Sequence, residues 1–139
     1  MSELSLHEIE LVTEDGQKIR LGYEEVGDIL EIVFDDVEAT CALELTDNIV
    51  LRFDRQQGQA AGLTILDFSV LASPTELGVR SFALTGLDTL PEELREMVIR
   101  IITTPPVNQF LKVTTFYISP TEQVPLTYVE SPRELASVA

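Results

Sequence analysis

The sequence predicts an α+β fold, an antiparallel β-sheet meander with one main amphipathic helix packed on the sheet. Three observations carry that prediction. Short apolar segments alternate with polar residues at close spacing through the first half of the chain, turn-forming residues separate them, and one apolar stripe at helical spacing follows in the second half.

Glu8 to Tyr23 reads as a hairpin. Ile9 and Leu11, then Ile19, Leu21 and Tyr23, alternate with polar residues on either side of Asp15-Gly16, a dipeptide suited to the positive φ angles of a tight type I′ turn. A strand over Asp28–Asp35 puts Leu30, Ile32 and Phe34 on one face and Ile29, Glu31, Val33 and Asp35 on the other. Thr40–Leu45 and Ile49–Asp54 follow, separated by the turn Thr46-Asp47-Asn48. After the loop Arg55–Gly58, another strand runs over Gly62–Asp67. Val79–Leu84 is a further strand, and Phe110–Ile118 with Val124–Val129 forms a second hairpin.

Several strands are apolar on both faces: Ile49, Leu51 and Phe53 alternate with Val50 and Arg52, and Leu63 and Ile65 with Thr64 and Leu66. A sheet with one wetted face is more polar on that side. The second face is therefore expected to be covered in part, by the C-terminal half or by another copy of the protein.

The helix is expected over Pro91–Thr103, where Leu94, Met97, Val98, Ile101 and Ile102 share one face. Pro91 suits its first turn, Glu92 and Glu93 favour the positive end of its dipole, and Pro105-Pro106 stops it. Ser73–Glu76, Ser119–Glu122 and Ser131–Glu134 share the form Ser-Pro-x-Glu, which suits a helix start. The second is cut short by Pro125 and fits a turn, and the third begins a short terminal helix.

Composition narrows the functional classes. The 139 residues suit one domain, and 45% hydrophobic with 24% charged residues is an ordinary globular balance. No apolar run is long enough to cross a bilayer, and Met1 to Glu10 lacks the basic and apolar regions of a signal peptide. The single cysteine, Cys41, excludes an intramolecular disulfide and a cysteine-rich zinc site, and a cytoplasmic location is the simplest expectation. The net charge is −15, and fourteen of the 24 acidic residues lie in residues 1–47 against Lys18 and Arg20 alone. That balance disfavours direct binding to nucleic acid, whose affinity comes mainly from neutralised phosphates.

Two stretches together carry a family resemblance. The first is Tyr23-Glu24-Glu25-Val26-Gly27-Asp28-Ile29-Leu30-Glu31-Ile32-Val33-Phe34; the second runs from Glu44 to Ser69, with Asn48–Asp54, Gly58 and Gly62-Leu-Thr-Ile-Leu-Asp-Phe-Ser69. Over roughly residues 21–71 the chain resembles the bacterial domain-of-unknown-function 2283 family. The resemblance implies a compact sheet of about four strands with a short helix after the last, and no established activity. Gly27 stands where that family usually has alanine, and Thr64 where an acid is common. Residues 1–139 are then one domain, a family-like β-rich core at 21–71 and a strand–helix–hairpin extension at 72–139.

Chemistry-bearing residues are few. The only histidine, His7, lies in a polar stretch near the N-terminus, and a frayed end is a poor place for a triad member. Cys41 shares the alternation of Leu43 and Leu45 and reads as a buried small apolar residue. Asp35, Asp36 and Glu38 cluster locally, while Asp28, Asp54 and Asp67 recur at strand edges, where aspartate commonly caps turns. No catalytic, cofactor-binding or metal-binding residue is assigned, and no cofactor is expected. The leading expectation is a non-enzymatic protein-interaction or assembly module, a homo-oligomer or binder of another protein, with Val33 and Val50 on its interface. An acidic binder or inhibitor of a basic, nucleic-acid-binding partner is the alternative. A carboxylate-based metal binder or enzyme built from Asp28, Asp35, Asp54 and Asp67 is the third reading.

Overall fold

The computed structural model describes residues 6–13, 16–35, 37–73 and 81–129. Its first half is a six-stranded antiparallel sheet of β1 (Leu6–Val12), β2 (Lys18–Glu24), β3 (Ile29–Phe34), β4 (Cys41–Thr46), β5 (Ile49–Asp54) and β6 (Gln59–Leu66). A short helix, α1 (Phe68–Ala72), follows. The second half holds β7 (Phe82–Ala83), the long helix α2 (Glu92–Ile102), and the hairpin of β8 (Leu111–Ser119) and β9 (Glu122–Val129).

Spatial order in the large sheet is β1-β2-β3-β6-β5-β4. The expected meander is thus present twice, β1–β3 and β4–β6, with the halves joined by β3 against β6. Alternation reports which face a residue occupies but not which strand lies beside it, so this seam was not legible. The β3–β4 connection passes the ends of β6 and β5, and the Thr40 amide tied to the Phe53 carbonyl at 2.9 Å anchors its far side. The region expected to hold about four strands holds five, β2 to β6, and the short helix after the last is in place.

One face of this sheet is the core. Ile19 and Leu21 of β2, Leu30, Ile32 and Phe34 of β3, Ile49, Leu51 and Phe53 of β5, and Leu63 and Ile65 of β6 are all buried. The same cluster takes in Leu84, Leu87, Val98, Ile101, Ile102, Val107, Phe110 and Leu111, so the C-terminal half closes over this face. The rings of Phe34 and Phe110 lie 6.1 Å apart. Burying each large apolar side chain contributes roughly 1.5–3 kcal/mol.

Local details follow the chemistry. The β1–β2 ladder ends at Val12 opposite Lys18, leaving five residues where a two-residue turn was expected. The Thr13 amide donates to the Gln17 carbonyl at 2.8 Å, and Gly16 takes φ +88°, as a longer loop with a left-handed glycine requires. Helix α2 buries Val98, Ile101 and Ile102, carries Glu92 and Glu93 in its first turn, and has Pro91 at its N-cap rather than inside it. Pro120 and Thr121 form the turn of the β8–β9 hairpin. Of the strand expected over Val79–Leu84, Phe82–Ala83 pairs with β9. Residues 74–76 of the first Ser-Pro-x-Glu segment, the whole of the third, Asp15 and Asp36 lie outside the described residues.

Candidate functional site

Asp28 is the most heavily engaged carboxylate among the described residues. It closes the β2–β3 turn, its amide donating to Glu25 O at 3.3 Å, and takes the left-handed φ of +54° that aspartate tolerates better than most residues. Its Oδ1 accepts the Tyr23 hydroxyl at 2.7 Å and the Ser69 amide at 3.0 Å, and its Oδ2 accepts the Ser69 hydroxyl at 2.7 Å. Its carbonyl accepts the Phe68 amide at 3.0 Å, and the Tyr23 ring meets Phe68 edge-on with centroids 5.8 Å apart. Turn, strand β2 and helix α1 are therefore tied through one side chain.

The electrostatics follow. Partial burial alone would raise the Asp28 carboxyl, but bonds from the Ser69 hydroxyl, the Tyr23 hydroxyl and the Ser69 amide outweigh it and hold the group below the usual aspartate range. Partial burial, reinforced by Asp28 and Glu25, pushes the Tyr23 hydroxyl up to about 12. An acid held ionised in this way is a weak general base near neutrality. Chemically the arrangement is a staple.

The other aspartates divide by position. Asp67 (φ +54°) sits beside Asp28 at the start of α1, and its Oδ2 accepts Asn48 Nδ2 at 3.0 Å. Asp35 (φ +38°) and Asp54 lie at the opposite end of the sheet, where Asp54 Oδ1 accepts the Gln56 amide at 3.0 Å and opens the turn to Gly58. Asp28 and Asp67 are thus separated from Asp35 and Asp54 by the length of the strands, which corrects the reading that gathered all four into one site. Among the described residues no group of three or more His, Cys, Asp or Glu could hold a metal ion. Beside Asp35, a cleft of about 540 Å³ opens between Gln17, Gln59, Ile101 and Pro106. His7 pairs with Tyr23 in the β1–β2 ladder rather than fraying, and Cys41 opens β4 opposite Phe53, half-buried rather than buried.

The second face of the sheet carries Glu8 and Glu10 of β1, Arg20 and Gly22 of β2, Glu31 and Val33 of β3, Thr64 of β6, and Val50 and Arg52 of β5. Arg52 donates to Glu31 Oε2 at 3.1 Å and to the Thr64 hydroxyl, which itself bonds Glu31 Oε2 at 3.0 Å. Val33 and Val50 are half-buried there and Leu66 is exposed. Of the two covers expected for the second face, the C-terminal half packs on the core face instead.

Residues 20–69 match the model of a family described as a protein of unknown function (DUF2283). No curated protein and no solved structure matches the chain. The match spans β2 to α1, and Tyr23, Asp28 and Ser69, which converge on the staple, all fall within it.

Proposed function

From a sheet that matches this family and has one face with no layer above it among the described residues, we propose that the protein is a non-enzymatic protein-interaction or assembly module that docks through that face. The observation that carries the reading is the unequal treatment of the two faces. One is sealed by the C-terminal half of the same chain, while the other presents Val33 and Val50 with no described layer above them. Between them, Glu31, Arg52 and Thr64 already satisfy one another, so covering them leaves no charge without a partner. A second copy of the chain or a different protein fits this surface. The shared core of both halves supports treating residues 1–139 as one domain, and the lone cysteine and acidic surface suit the bacterial cytoplasm.

A second reading has its own observation. Glu8, Glu10, Glu24, Glu31 and Glu44 all fall on the open face, which favours a basic partner over an acidic one.

Photo-crosslinking tests the docking face. A benzophenone side chain at Val50 is expected to give discrete adducts in cells, while the same group at Arg95, exposed on the outer side of α2, gives none. Native mass spectrometry then distinguishes a second copy from another protein. No adduct at position 50, or the same adducts from both positions, rejects the reading.

A further inference from the structure

Two glycines sit on the open face, and only one of them is there for want of room. A Cβ at Gly62 would lie 2.7 Å from the Ile32 carbonyl oxygen and 2.8 Å from Arg52 Nη2, so that position is closed to larger residues. A Cβ at Gly22 would meet nothing within 4 Å, and its φ lies outside the left-handed region. A strand-interior glycine weakens the strand and commonly marks close approach by something else.

The surroundings of Gly22 indicate what approaches. In the ladder it lies between Glu8 on β1 and Glu31 on β3, residues whose Cα atoms strand spacing sets roughly 10 Å apart, so that their side chains flank bare backbone. The next rung is Glu10, Arg20 and Val33, and together these residues line a trough of about 410 Å³. Three carboxylates and one guanidinium line the trough. Glu24 lies further along β2, and Arg52 holds Glu31 from the far side through Oε2. Val33 supplies an apolar wall for an aliphatic stem.

We propose that the trough over Gly22 receives an arginine side chain of a protein partner, its stem along Val33 and its guanidinium between Glu8 and Glu31. The planar fork donates in more than one direction and can bond both carboxylates, which a compact ammonium is less suited to do. The proposal rests on the open face being the docking face, and names what docks there.

The test is an amide-resolved NMR titration of the full-length ¹⁵N-labelled protein with a blocked Thr-Arg-Thr-Arg-Thr peptide. Its citrulline isostere and its lysine counterpart serve as controls. Saturable shifts at the amides of Gly22, Glu31 and Val33 are expected, with affinity at least about tenfold weaker for citrulline and weakened by salt. Gly22→Thr, which fills the trough where there is room, should abolish these shifts while keeping a folded spectrum, and Glu8→Gln should weaken binding. Equal binding of the citrulline or lysine peptide, shifts centred elsewhere, or full binding by Gly22→Thr overturns the proposal. Adducts at Val50 without a peptide response overturn only this inference; absence of both overturns the docking face as well.

Discussion

Asp28 holds Ser69 through both the amide and the hydroxyl, at 3.0 and 2.7 Å, across forty-one positions of sequence. The bond fixes where β6 ends and α1 begins relative to the β2–β3 turn. Replacing Asp28 by alanine removes three acceptor contacts and leaves at φ +54° a residue without the short polar side chain that makes this region tolerable to Asp and Asn. We expect a loss of about 2–3 kcal/mol, against about 1 kcal/mol for Asp28→Asn, which keeps an acceptor and tolerates the backbone. Ser69→Ala should also cost about 1 kcal/mol. Urea denaturation gives all three values, and an Ala variant as stable as the Asn variant would show that the acceptor and backbone terms do not matter.

Most strands were legible because alternation reveals a buried face directly: Leu30, Ile32 and Phe34 read as core and are core. The stripe of α2 was legible for the same reason. The neighbour of each strand was not, since β3 and β6 are joined by a register that nothing local encodes. The staple was half visible. Asp28 read as a turn residue, but the roles of Tyr23 and Ser69 depend on a long-range closure and left only one trace, their place in the family pattern. Gly22 and Gly62 look alike in sequence, and only the packing around each separates them.

The same staple sets a pH dependence at both ends of the range. Asp28 is held below its ordinary 3.8 in the folded state, so the unfolded chain takes the proton first as pH falls. Its stabilisation should be complete above about pH 5 and vanish as pH drops through the folded value. Tyr23 is raised to about 12, so its contribution is complete below its ordinary 10.0 and lost as pH rises through the folded value. Stability curves against pH should show a smaller acid loss in Asp28→Asn and a smaller alkaline loss in Tyr23→Phe than in the parent. Unchanged curves would dissociate the titrations from folding.

The two glycines of the open face should respond with opposite signs. Gly22→Thr adds a β-branched residue where there is space, and is expected to stabilise by about 0.5–1 kcal/mol. Gly62→Ala forces a Cβ onto the Ile32 carbonyl and the Arg52 guanidinium, and is expected to destabilise by about 1–3 kcal/mol. Chemical denaturation of the pair decides it; a destabilised Gly22→Thr would mean that the space beside Gly22 does not accept a side chain.

The edge of β4 makes the final case. The turn Thr85–Leu87 packs against that edge so closely that a Cβ at Gly86 would fall onto the Glu44 carbonyl oxygen and lie 3.1 Å from Leu45 Cα. Leu45 and Leu87 on either side are both fully buried, so neither backbone has room to retreat. An exposed strand edge invites pairing with other chains, and this contact covers one end of the sheet. Gly86→Ala is therefore expected to cost about 2 kcal/mol or more. Amide exchange in β4 should quicken well beyond that in β1, at the other edge of the sheet and remote from the substitution. Equal acceleration in both strands would mean that the substitution weakens the fold globally and that the turn does not protect β4 in particular.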